Sequence, residues 1–107
     1  MVTGIVIPTY PAQPLEQREF VGLGDYRTAV DGWVEALDLL DLGVTIYINE
    51  EGHLRHLPMN SRASFLWWYH VPVTRQTAML VGDAVVVGLP GRNGESTDVP
   101  DAVHQHD

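Results

Sequence analysis

The chain has 107 residues, 45% hydrophobic and 19% charged, with a formal net charge of −8. That length and balance describe one small globular domain with a modest core. Cysteine and lysine are both absent, which excludes disulfides, thiolate nucleophiles, cysteine-based zinc sites, Schiff-base chemistry and a phosphate-loop lysine.

The negative charge opposes binding to nucleic-acid phosphates. The acids are scattered, with only Glu50 and Glu51 adjacent, so a soluble acidic surface is expected rather than a DNA mimic. Nothing approaches the roughly 18 consecutive apolar residues of a membrane span. No basic region precedes the apolar start "MVTGIVIPTY", so it reads as a first strand rather than a signal peptide.

In chain order, Gly4–Tyr10 is apolar and β-branched and predicts a buried strand. "PAQP" predicts a turn or extended loop. Leu15–Val21 alternates roughly and predicts an edge strand. In "DYRTAVDGWVEALDLLDLG", Asp25 is a candidate helix cap, and Ala29, Val30, Trp33, Val34 and Leu37 fall at helical spacing. Periodicity alone gives one helix from Tyr26 to Leu42. Gly32 opposes it, since an interior glycine costs about 1 kcal/mol. The other reading breaks at Gly32 into a short helix and a strand through "WVEALDL".

"VTIYINEEG" is the clearest element. Val44, Ile46 and Ile48 point one way, and Thr45, Tyr47 and Asn49 the other. "EEG" predicts a turn, and "HLRHLP" a returning hairpin arm with Leu54 and Leu57 inward, stopped by Pro58. Asn60 or Ser61 is the expected cap of a helix "SRASFLWWYH", ended by Pro72. "TAMLVGDAVVVGLP" predicts a strand, a bend or tight turn at Gly82-Asp83 and a buried strand Ala84–Leu89. After Pro90 the chain turns polar, and residues 91–107 read as a mobile tail or loosely docked arm beyond a single domain of residues 1–90.

Few candidate sites exceed ordinary structure. His53 and His56 are three apart, which is not the four-residue spacing of a zinc helix, and on a strand they face opposite sides. They read as surface histidines, and no metal or cofactor is expected. Glu50 and Glu51 read as turn carboxylates, because adjacent residues rarely face a common substrate. Ser61, Ser64 and Ser96 lie outside any nucleophile elbow, and "GLPGRNGES" lacks the ending of a phosphate loop. The aromatic run stands out. Phe65, Trp68 and Tyr69 share one helical face, while Trp67 lines up with Ala63, His70 and Val71. A small domain rarely buries both faces, so an interface is credible.

The segments "VDGWVEALDL", "YINEEGHLRHLPMNSRAS" and "LVGDAVVVG" resemble, in order, three pieces of the DUF3846 family: V-G-G-[YFW]-I-E, N-E-x-G-x-L-x-x-L-P-x-N and a closing G-x-x-x-x-V-G. The likeness spans roughly Asp25 to Gly88. The matching residues are Gly32, Asn49, Glu50, Gly52, Leu57, Pro58 and Asn60; Asp31 departs where a first glycine is usual, as does the long tail. The resemblance implies a break at Gly32 with "WVEALDL" as a strand. It also implies an accessory gene of a phage or plasmid in an actinobacterium-like host, with no agreed activity.

The resulting expectation is a small α+β domain, a mostly antiparallel sheet packed by one or two short helices. Its expected role is non-enzymatic binding in the host cytoplasm, to a host or phage protein or to itself, with no nucleic-acid or membrane partner. The candidate contact residues are Trp67, Trp68, Tyr69, Arg62, Asn60, Asn49 and Glu50. The alternative is a nucleotide-like ligand, its base stacked on the aromatics and its polar edges held by Asn49, Asn60 and Arg62.

Overall fold

The structure, a computed structural model, describes residues 1–100. Its elements are β1 (Val2–Ile7), β2 (Glu16–Phe20), α1 (Leu23–Val30), β3 (Val34–Leu39), β4 (Val44–Asn49), α2 (Ser61–His70), a 3₁₀ helix (Pro72–Gln76) and β5 (Ala84–Gly88). The strands pair antiparallel in the order β2-β1-β5-β4-β3, as the expected α+β class requires.

The central strand β5 is buried at every position. Its unbroken apolar run follows from cover on both faces. Alternation sends Val86, Ile46, Ile5 and Ile7 into one core with Ala63 and Trp67 of α2. It sends Val85, Val87, Val6 and Tyr47 into a second core with Tyr26 and Val30 of α1. The two helices therefore lie on opposite sides of the sheet.

The single helix from Tyr26 to Leu42 does not form; the chain breaks at Gly32, as the family likeness implied. Asp31 turns left-handed at φ 61°. Its N–H bonds the Thr28 carbonyl at 3.3 Å, and the Gly32 N–H bonds that of Arg27 at 3.0 Å, the paired bonds of a Schellman stop. Residues 34–39 then bond β4 instead of continuing the helix. Asp25 is not the cap: the helix starts after Gly22, and the Asp25 carboxylate reaches back to the Val21 N–H at 2.7 Å.

Two further expectations are corrected. "HLRHLP" is no hairpin arm. Residues 50–56 coil through consecutive turns, His56 is left-handed at φ 55°, and Leu54 is 79% exposed. "TAMLV" forms no strand, only an isolated bridge between Val81 and Met59. After Pro90 the chain runs back along the sheet, the docked arm of the two readings. Thr97 bridges Gly88, the Val99 N–H bonds the Thr3 carbonyl at 2.9 Å, and Val99 is buried. Residues 101–107, with His104 and His106, lie outside the described residues.

Candidate functional site

The placement of α2 starts with Asn60, which is completely buried. Its side-chain oxygen accepts the Ala63 N–H at 3.0 Å, capping the helix. Its Nδ2 donates to the carbonyls of Ile7 at 2.8 Å and Gly82 at 2.9 Å. One amide thus joins α2 to β1 and to the turn before β5. One turn further on, the buried Ser64 hydroxyl accepts the Leu80 N–H at 2.8 Å and donates to the Leu80 carbonyl at 3.2 Å. The Arg62 guanidinium donates from Nη2 to the carbonyls of Pro8 at 2.8 Å and Tyr10 at 3.1 Å.

These contacts fix which way the aromatics face. Trp67 is half-buried and packs on the core beside Leu66 and Val71. Phe65 and Tyr69 face outward, 59% and 72% exposed. Trp68 lies between these extremes. Its indole N–H donates to the Ala78 carbonyl at 2.7 Å, and its ring meets Phe65 edge-on at 5.4 Å. Val73 on the adjoining 3₁₀ helix and Met79 beside Ala78 are exposed as well. At the helix end, His70 Nδ1 lies 2.7 Å from the Asp41 carboxylate. That hydrogen bond holds Asp41 below its ordinary pKa.

The remaining residues singled out in the sequence do not join this surface. Asn49 is buried and lies on the α1 side of the sheet. Its Nδ2 donates to the carbonyls of Val30 at 3.1 Å and Asp31 at 3.0 Å, and its oxygen accepts the Glu51 N–H at 2.8 Å. Asn49 and Asn60 therefore sit under opposite helices, each engaged with backbone, and do not line one pocket. Glu50 is exposed at the turn after β4. His53 approaches the Met79 carbonyl at 3.1 Å. Among the described residues no three His, Asp or Glu side chains gather as a metal set.

Sequence reasoning missed a second feature. The Arg27 guanidinium lies 3.7 Å above the Trp33 ring centre, beside a shallow cleft of about 330 Å³ lined by Gly24, Arg27, Thr28 and Gly32. The three-residue connection from α1 to β3 brings Arg27 and Trp33 together, which a helical reading of the segment hid.

Among the described residues no helix is long and apolar enough to cross a membrane. Comparison with curated proteins and with solved structures finds no match. The family model described as a domain of unknown function (DUF3846) matches residues 2–106, nearly the whole length, and the chain belongs to that family.

Proposed function

We propose that this is a non-enzymatic binding protein of phage or mobile-element origin, acting in the host cytoplasm through protein–protein contacts or self-association on the outer face of α2. The observation that carries this reading is the pair Phe65 and Tyr69, four residues apart and mostly exposed, with Trp68 edge-on to Phe65. Aromatic side chains anchor interfaces, and clustered exposed apolar surface marks contact sites more often than scattered residues do. Counter-defence is one purpose such a protein could serve, by analogy only. The nucleotide-like alternative is disfavoured because Asn49 and Asn60 are separated by the sheet.

The test is capture from host lysate, with analytical ultracentrifugation for self-association. The wild-type chain is expected to retain a partner or to dimerise. Phe65→Ala with Tyr69→Ala should abolish this while leaving the melting temperature within about 2 °C, because exposed positions contribute little to stability. A double variant that keeps every partner overturns the reading.

A further inference from the structure

We propose that the outer edge of β3 is a docking site for an extended, basic segment of a partner protein. Among the described residues no strand lies beyond β3. The Glu50 N–H donates to the Trp33 carbonyl at 2.8 Å, so Trp33 and Glu50 form a hydrogen-bonded pair. Continuing that register from Val34↔Asn49 to Leu39↔Val44, antiparallel alternation assigns Glu35, Leu37 and Leu39 to β4. The backbone groups of Val34, Ala36 and Asp38 therefore face outward, which is the template for an added strand.

Charge decides the occupant. Glu35 and Asp38 are exposed along this edge, with Glu50 at one end. Arg55 does not neutralise them, being held on Asp31, and Arg27 lies over Trp33. The opposite edge strand differs, since Arg18 there pairs with Glu16 at 2.9 Å. A second copy is a poor occupant: β3 carries Glu35 and Asp38 and no basic residue, so pairing two such edges sets like charge beside like charge. A lysine- or arginine-bearing segment reverses that sign.

The acids could serve only to block aggregation. A purely guarded edge, however, has no use for exposed apolar residues at both ends. Trp33, 55% exposed, precedes β3, and Leu40, 75% exposed, follows it. They offer anchors for a segment lying along the strand. This surface is separate from the aromatic face of α2, so either can fail alone.

The test is an NMR titration of the full-length labelled chain with a synthetic peptide of alternating lysine and valine, beside its glutamate counterpart. The basic peptide should shift the amides of Val34, Ala36 and Asp38 and protect them from exchange. Its affinity should fall at least about tenfold near 1 M salt, where screening acts over about 3 Å. Glu35→Lys with Asp38→Lys should reverse the preference between peptides. Ala36→Pro removes an outward N–H while sparing the β4 ladder, and should abolish binding; if it impairs folding, the charge reversal decides. Equal binding of both peptides, no binding, or shifts centred on α2 overturn the proposal.

Discussion

At the scale of single residues, two buried asparagines and one glycine organise much of this fold. Asn60 acts both as a helix cap and as a donor to two carbonyls, and substitution can separate the roles. Asn60→Asp keeps the cap acceptor, and aspartate caps helices as well as asparagine does. It also sets a carboxylate against two carbonyl oxygens inside the core. Asn60→Asp is therefore expected to lose about 3 kcal/mol in urea unfolding at pH 7, not to be neutral. A loss below about 1 kcal/mol would mean that capping is the dominant role. The sequence announced the cap through its position before "SRASFLWWYH". It did not announce the two carbonyl bonds, because their acceptors lie 53 and 22 residues away.

Gly32 shows the same limit. It was legible as a helix breaker, yet the left-handed residue is Asp31, not Gly32. Gly32 is required by crowding: a Cβ there would stand 2.6 Å from Asn49 Nδ2. That amide is held by Val30 and Asp31 and has little freedom to withdraw. Gly32→Ala should cost about 2 kcal/mol by chemical denaturation, in the range of overpacked cores, despite alanine's better intrinsic propensity. A neutral result would show that the Asn49 amide is easily displaced.

At the scale of elements, α2 was the most legible helix, and its two faces were separable by spacing. Spacing set Trp67 on a different line from Phe65 and Tyr69 but left it among the contact candidates; the structure packs Trp67 on the core and leaves Phe65 and Tyr69 outside. Trp67→Ala is expected to cost about 2–3 kcal/mol, less than a fully buried tryptophan because the ring is half-buried. Stability of the Phe65→Ala and Tyr69→Ala variants should stay within about 0.5 kcal/mol. The β3 segment was harder to read. Its apolar residues fit a helix as well as a strand, and the deciding contacts come from β4, nine residues later at the pair Leu37↔Ile46 and nearer at the turn. Local spacing cannot weigh a partner strand.

The C-terminal end of α2 also carries a pH dependence. The His70 hydrogen bond lowers the Asp41 pKa in the folded chain. A carboxylate with a depressed folded pKa stabilises the fold above its unfolded value, about 3.9, and loses that contribution as pH falls through the folded value. Asp41→Asn should therefore be less stable than the wild type near pH 6, with the difference shrinking towards pH 3. Urea midpoints at both values check this, and a constant difference would assign the effect to packing instead.

At the scale of the whole molecule, the segment after Pro90 shows what composition leaves open. It has little apolar content, so it read as a tail or a loosely docked arm, and its contacts with the sheet are backbone and side-chain hydrogen bonds that composition does not register. β1 and β5 pair from Ile5↔Val86 to Ile7↔Ala84. Beyond that point the arm takes over: Thr97 accepts the Gly88 N–H at 2.7 Å, Val99 donates to Thr3, and Asp98 accepts the Thr3 N–H at 2.9 Å. The arm therefore occupies the place where β1 and β5 part. Gly88 permits this, because a Cβ there would strike Thr97 Oγ1 and the Asp98 carbonyl. Ending the chain after Gly94 removes those bonds, worth about 1 kcal/mol each, and the burial of Val99, worth about 1.5–2 kcal/mol. A loss of about 3–5 kcal/mol is expected, a large part of a small domain's stability. A double-mutant cycle separates a docked arm from an incidental one. In the full-length chain Gly88→Ala should cost about 2 kcal/mol, because the methyl meets the arm. In the shortened chain the same substitution should cost less than about 0.5 kcal/mol, since its obstacle is gone. Additive losses would show that the arm does not press on Gly88 in solution.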